Sequence, residues 1–395
     1  MLSKPSRIYL LFEGAFNFAD KIIAPIFVVF LQSFSLTPAQ IGVLLSVSNW
    51  VTAFLDFPTG ALSDLKGRKL TSTGGLFLFG IGLLIYGLGK NFTTFVVALS
   101  LMGAGFAFVS GSITAWYLHE IKRIGLKSEI HRVFSLSTGF SSAISALAGV
   151  VAGIAASVSL RLPFLIGGAV ACVMAAVCFF VMPENYGTQN KKHLAFMSDT
   201  IKTFWGAPFI RKYVYLQVLA EVGFCYFILS WQPYLMSFGL KASSLGFVFT
   251  LMMMAGAIVG LLLSRYMNHT NNPTVVALSV LLMGIAFIGM CVGRSLTAAV
   301  LSTLLYQCAL AIKMPAHAAW LNGFLKDENR ATILSAISTC VSVSTALFFI
   351  GLGVWMQHVP FKAGFILPAV ALFIATLLAI SMDRTEIRVT VSEQD

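Results

Sequence analysis

Charge is what this sequence has least of. Asp, Glu, Lys and Arg make up 10% of its 395 residues and hydrophobic residues 58%, whereas a soluble globular domain carries roughly 25% charged residues. With a mean hydropathy of +0.87, the chain is not built to have water as its main solvent. Cysteine is sparse too: Cys172, Cys178, Cys225, Cys291, Cys308 and Cys340 lie scattered in apolar runs, with no zinc or disulfide spacing. They read as small core residues, and no metal site is expected. Also missing are a His-Glu-x-x-His helix, a phosphate-cradling loop ending in Gly-Lys-Ser/Thr and a Gly-x-Ser-x-Gly elbow. Without these motifs the chain is not expected to be an enzyme, to hold a cofactor or to be driven by ATP.

What is there is a series of long apolar runs. A helix crossing the roughly 30 Å hydrocarbon layer needs about 20 mostly apolar residues. Twelve such runs fit, at approximately 7–33, 39–63, 70–89, 93–118, 131–157, 160–182, 210–236, 243–264, 273–293, 296–322, 331–357 and 361–382. A β-barrel would instead show units of about ten residues alternating in polarity, so the expected fold class is an all-α membrane protein with twelve transmembrane helices. The first run carries Glu13, Asp20 and Lys21; it is too long and too charged for a cleavable signal and reads as a retained span.

The 26 Lys and Arg residues are unevenly placed. Nineteen fall in the termini and loops on one side of this topology, five on the other, and Lys21 and Lys313 inside runs. Basic residues gather on the cytoplasmic side, so both termini are expected there, in a plasma (bacterial inner) membrane. The net charge of +11 is then a topology signal, with the lipid bilayer rather than nucleic acid as its partner. The longest polar interruption, 183–209, divides the chain into an N-terminal half (1–182) and a C-terminal half with a short tail (210–395), six runs each. Within it Leu194, Met197, Ile201, Phe204 and Trp205 recur at helical spacing, the pattern of an amphipathic helix on the membrane surface. A faint repeat links the halves: Gly60-Ala61-Leu62-Ser63-Asp64 closes the second run and Gly260-Leu261-Leu262-Leu263-Ser264-Arg265 the eighth.

Between the second and third runs stands Gly60-Ala61-Leu62-Ser63-Asp64-Leu65-Lys66-Gly67-Arg68-Lys69. This resembles the loop signature of the major facilitator superfamily: a Gly, an Asp four residues on, then a Gly-Arg-basic sequence. Leu55-Asp56-Phe57-Pro58-Thr59 and Arg330-Ala331-Thr332-Ile333-Leu334-Ser335 look like a branch of that superfamily rich in bacterial drug and metabolite exporters. The resemblance implies two pseudo-symmetric six-helix halves and a monomer. Gly60 would let a helix approach a neighbour closely, Asp64 would sit at the positive N-terminus of another helix, and Arg68 and Lys69 would hold the loop at the headgroups. In the family the helix facing the Asp is the eleventh, which starts here at Asp327-Glu328-Asn329-Arg330. The family's basic residue directly after the Asp is Leu65 here.

Ionisable residues at mid-membrane cost at least about 2.5–3.5 kcal/mol on insertion scales and so are functional candidates by default. In the first run Glu13, Asn17 and Asp20 share a face with Phe16 beside them; in the seventh Gln217, Glu221, Phe224 and Trp231 do; in the tenth Tyr306, Lys313, His317 and Trp320 do. The resemblance places the first, fourth, seventh and tenth helices around a central cavity. Along helices rising about 1.5 Å per residue, Glu221 and Lys313 fall at similar depths, roughly 4–6 Å to the cytoplasmic side of mid-span. They are expected to pair, either as a permanent bridge or as one that a proton or substrate breaks, with His317 one turn away able to titrate near neutral pH. Asp20 and Glu13 are further proton carriers, because a poorly hydrated site penalises the charged carboxylate; Lys21 either snorkels or neutralises a neighbour. Asp56 beside Pro58 either gates or answers backbone groups freed by the proline. Trp116 is a membrane-belt aromatic or a substrate platform, and Glu120 is expected to bridge to Arg132 or the loop.

These residues together imply a secondary transporter that moves a small amphipathic molecule by alternating access, with Phe16, Asn17, Trp116, Gln217, Phe224, Trp231 and Tyr306 as cavity walls and proton-coupled efflux as the leading mode. Two departures from the family's proton-antiporter pattern stand against that mode: the fourth run, Ala98-Leu99-Ser100-Leu101-Met102-Gly103, has no Arg, and the fifth has Gly149 and Gly153 but no Gly-Pro pair. Proton-coupled uptake or export of a metabolite or siderophore, and a membrane receptor that binds without translocating, are the alternatives.

Overall fold

Inside hydrocarbon no water answers a backbone N–H or C=O, so a spanning segment must bond to itself. The computed structural model describes residues 2–186, 208–266, 273–323, 325 and 330–382, and every regular element among them is helical. The expected surface helix at Leu194–Trp205 lies outside the described residues. In chain order the helices are α1 (Lys4–Lys21), α2 (Phe27–Gln32), α3 (Pro38–Lys66), α4 (Arg68–Leu88), α5 (Phe92–Arg123), α6 (Glu129–Val158) and α7 (Leu162–Val181). There follow α8 (Pro208–Met236), α9 (Ala242–Tyr266), α10 (Pro273–Val292), α11 (Leu296–Asn322), α12 (Arg330–His358) and α13 (Ile366–Ser381).

Local chemistry sets several starts. Thr37 and Gln40 form a reciprocal capping box ahead of Pro38 at the head of α3, and the side chains of Asn91 and Ser295 accept from the third residues beyond them, capping α5 and α11. Eleven of the described helices are long and apolar enough to cross a membrane. The remaining expected run, the first at 7–33, is not one helix: it breaks between α1 and α2 over residues 22–26, which contain Pro25. Proline has no N–H to continue the ladder and pushes the residue before it away from helical geometry. The apolar surface is turned outward as a lipid solvent requires, with Phe180 at 82% and Val158 at 77% exposure.

The chain forms two compact units, one of Met1–Gln189 with Gly239–Met254, the other of Asn190–Phe238 with Ala255–Asp395. This differs from the division at the central loop in one segment, since the first half of α9 belongs with the first unit. The reason is a glycine seam: a Cβ on Gly246 of α9 would collide with backbone atoms of Gly149 and Gly153 of α6, and Thr250 Oγ1 donates to the Ala146 carbonyl at 2.9 Å. Small residues let helix backbones approach in lipid, where dispersion and hydrogen bonds replace the hydrophobic effect as the glue. The first unit has a core around Phe12, Leu76, Ile113, Trp116 and Tyr117, the second one around Tyr213, Leu216, Val276 and Trp320.

Gly246→Val is therefore expected to lower stability by about 1–3 kcal/mol, the usual cost of overpacking, seen as a lower melting temperature in detergent. Gly139→Ala, where a methyl group meets nothing within 4 Å, is expected to leave that temperature unchanged or slightly raised.

Candidate functional site

In the second unit, α8 and α11 bring together the residues that the sequence put on their polar faces. Lys313 Nζ lies 3.7 Å from Glu221 Oε1, with side-chain exposures of 5% and 15%. That spacing is longer than a hydrogen bond, so the two attract as charges without a fixed proton between them. Thr345 on α12 adds a hydroxyl 3.3 Å from Glu221 Oε2 and also donates to the Val341 carbonyl at 2.9 Å. One turn beyond Lys313, His317 is buried, and neither of its ring nitrogens has a hydrogen-bond partner among the described residues. Its backbone carbonyl accepts from Tyr213 Oη at 3.3 Å, and Tyr213 Oη in turn accepts from Gln217 Nε2 at 3.1 Å. Gln217 Oε1 is buried and unpartnered as well. Between Lys313 and His317 sits Pro315, which removes the N–H that would bond the Ala311 carbonyl and loosens α11 there. Phe224 is half-buried on the same stretch of α8.

Tyr306 and Trp231 are packed inside this unit rather than standing as open walls: Tyr306 is fully buried and stacks on Phe227 at 4.0 Å, and Phe227 stacks on Trp231 at 6.3 Å. Trp116 is likewise a core residue of the first unit, with its indole N–H donating to the Pro183 carbonyl at 2.8 Å. It is neither a belt aromatic nor a platform in this structure. Aromatics recurring on one helix face mark helix packing as readily as a cavity wall, which is why the pattern alone did not separate them.

On α1 the polar residues part ways. Asp20 and Lys21 pair at 2.7 Å, so Lys21 neutralises its neighbour. Asn17 Oδ1 accepts from Ser145 Oγ of α6 at 2.9 Å, and Phe16 packs against Phe79 and Phe106. Glu13 lines a cavity of about 470 Å³ within the first unit, together with Tyr9, Phe134 and hydroxyl residues of α6.

The loop motif makes a network of its own within the first unit. Arg68 pairs with Asp64 at 2.9 Å and donates to the Ala115 carbonyl at 3.1 Å. The expected partner of Asp64, Asp327–Arg330, lies outside the described side chains, as do the surroundings of Gly60. Gly67 takes φ +102°, a conformation that favours glycine, and a Cβ there would meet the Glu184 carboxylate. That carboxylate accepts from the Lys69 amide at 2.8 Å at the N-terminus of α4, where a negative charge is favoured, while Lys69 Nζ lies over the Phe179 ring. Of the two expected partners for Glu120, Arg132 or the loop, the structure shows neither Arg132 nor a loop cation: Glu120 accepts from Arg123 at the end of α5 at 2.7 Å and from Asn185 Nδ2 at 3.0 Å. The exposed Asp56 side chain has no polar partner among the described residues, while Thr59 donates to the Asp56 carbonyl at 3.1 Å and lies 3.2 Å from that of Ala107. Sequence reasoning missed Thr345, Glu184, Asn185 and the α6 hydroxyls. For the last of these a signal existed, since Ser137, Ser141 and Ser145 recur every four residues and so share one face.

Comparison with known proteins agrees with this architecture. The family profile of the Major Facilitator Superfamily matches residues 10–312 and 227–394. Multidrug resistance protein 2 of Bacillus subtilis is 27% identical over 48% of this chain and 45% of its own length, so that match spans less than half of the relative. The MFS-type transporter YxaM of the same organism is 22% identical over 94% of both chains, and quinolone resistance protein NorA of Staphylococcus aureus is 25% identical over 41% of this chain and 40% of its own. Among solved structures, the nucleoside transporter NupG superposes with a TM-score of 0.82 at 11% identity, covering 96% of this chain and 99% of that one. A D-xylose-proton symporter reaches 0.75 at 14% identity, covering 95% and 96%; at such identities the likeness speaks to the fold. The protein is an integral membrane transporter, not an enzyme, and belongs to the major facilitator superfamily.

Proposed function

We propose that this transporter is a proton-coupled exporter of a small amphipathic molecule, working as a monomer in the bacterial inner membrane with both termini cytoplasmic and opening alternately to the two faces. The observation that carries the reading is the buried Lys313–Glu221 pair with the unpartnered His317 ring beside it. A proton delivered to Glu221 cancels its charge and leaves Lys313 as a buried cation with no counter-charge, a state that costs several kcal/mol. The unit relieves that cost by changing which face admits water, and returning the proton restores the pair. His317, four residues from Lys313 on the same helix, can hold or pass the proton, and Pro315 between them lets α11 deform locally. Asp20, already balanced by Lys21, is a weaker carrier in this scheme, and Asp64–Arg68 with Lys69 and Glu184 serves as the conformational contact at the end of α3. Export, rather than uptake, is favoured by the relatives named for multidrug and quinolone resistance.

The test is proton movement in proteoliposomes under an imposed pH gradient, challenged with lipophilic cations, zwitterions and carboxylates. Glu221→Gln is expected to reduce substrate-evoked proton movement at least ~10-fold, the scale of losing about 1.4 kcal/mol of coupling, with Asp20→Asn far milder. Proton and substrate moving in opposite directions support export; movement in the same direction would replace it with uptake, and an unchanged Glu221→Gln variant would remove the coupling scheme altogether.

Stability supplies a second check. Glu221→Gln or Lys313→Met alone is expected to cost about 3–5 kcal/mol, whereas the double substitution recovers most of it, because removing both buried charges avoids the lone one. Melting temperatures of the three variants in one detergent read this out, and additive losses would mean that the two charges do not interact.

A further inference from the structure

The cavity between α1 and α6 in the first unit has a polar surface of hydroxyls and one carboxylate, and three of the hydroxyls have their protons committed elsewhere. Its five hydroxyl residues, Ser137, Thr138, Ser141, Ser142 and Ser145, recur at three- and four-residue intervals along one face of α6. A hydroxyl has a single proton to give. Thr138 gives it to the Phe134 carbonyl at 3.1 Å, Ser142 to the Thr138 carbonyl at 3.1 Å, and Ser145 to Ser141 O or Asn17 Oδ1 at 2.8 and 2.9 Å. What these three side chains offer a ligand is therefore lone pairs. Across from them stands the Glu13 carboxylate, also an acceptor only, which receives no hydrogen bond or ion pair from any described residue. Among the described residues no Lys, Arg or His lines the cavity. Tyr9, stacked on Tyr117 at 4.7 Å, and Phe134, edge-on to Tyr9 at 5.9 Å, supply an aromatic wall on which a cation can rest. The geometry is held by packing: a Cβ on Gly14, next to Glu13, would press on Phe140 and Ile144 of α6 at 2.7 and 2.8 Å.

We propose that this cavity is the cation-binding subsite of the transporter and selects protonated primary amines or guanidinium groups on small amphipathic molecules. One negative charge among many acceptors is matched by a cation that carries several N–H donors. A quaternary ammonium brings the charge but no donors and leaves the hydroxyl row unanswered; a neutral polyol brings donors but leaves Glu13 without a counter-charge; an anion opposes it. The volume of about 470 Å³ falls in the range of small-molecule sites, ~300–1,000 Å³. The proposal rests on the reading of the chain as a transporter of small amphipathic molecules and names the chemistry of one part of its substrate.

The experiment is equilibrium binding to the full-length protein in nanodiscs, without a proton gradient, of 2-phenylethylammonium, its N,N,N-trimethyl analogue and 2-phenylethanol. The primary ammonium is expected to bind at least ~10-fold more tightly than either analogue, about 1.4 kcal/mol. Glu13→Gln should erase that advantage, and Ser141→Ala with Ser142→Ala should weaken the primary ammonium while leaving the trimethyl analogue unchanged. Melting temperatures near the native value confirm that the variants are folded; if Glu13→Gln is not, the serine pair decides alone. Equal binding of the ammonium and the alcohol, equal binding of the two ammonium ions, or no ammonium binding at millimolar concentration overturns the proposal. Repeating the titration in Glu221→Gln separates the two readings: ammonium binding that survives there while proton coupling is lost or was never present leaves the subsite standing, and coupled flux insensitive to Glu13 removes the subsite alone.

Discussion

A hydrocarbon solvent accepts no hydrogen bond and screens no charge, and each feature of this structure answers one of those two refusals. The first refusal makes the chain helical and makes every proline inside a helix a local problem. At Pro58 a threonine hydroxyl reaches the carbonyls of its own helix and of α5. At Pro25 the helix stops and restarts. At Pro315 it continues, and there the residues on either side are the buried lysine and the unpartnered histidine, so the least supported stretch of α11 is also its most chemically active.

The second refusal sorts the charges. Asp20 with Lys21, Asp64 with Arg68, Glu120 with Arg123 and Glu221 with Lys313 are each balanced within a few ångströms. Glu13 has no such counter-charge among the described residues, and His317 has no partner there for either ring nitrogen. Buried or half-buried polar groups cost stability unless they are satisfied, so a site that leaves them unanswered is best understood as awaiting a proton, a ligand or a different conformation.

Much of this was legible in the sequence because lipid imposes long-range regularity: run length gave the spans, and the period of the helix put Glu221 and Lys313 at matching depths. What escaped depended on single contacts. Nothing in the composition of run 7–33 outweighed its apolar length, although Pro25 held the break. Pro183-Glu184-Asn185 read as the start of a linker, yet Glu184 and Asn185 fold back to cap α4 and to satisfy Glu120. Helical spacing reports a face without reporting what covers it, so it does not separate the buried Trp116, Trp231 and Tyr306 from cavity walls. The serine and threonine stripe of α6 went unread since, one at a time, small hydroxyl residues are ordinary in a span; their meaning emerges only when their protons are traced to backbone carbonyls.

That tracing bears on how coupling could arise. Glu221 keeps an internal cation within reach, so a proton there competes with Lys313 and changes the energy of the unit. Glu13 faces acceptors and no internal cation, so its negative charge can be met from outside in two ways only, by a proton or by a cationic ligand. The two are mutually exclusive at one carboxylate, since a protonated Glu13 has no charge left to hold an ammonium group.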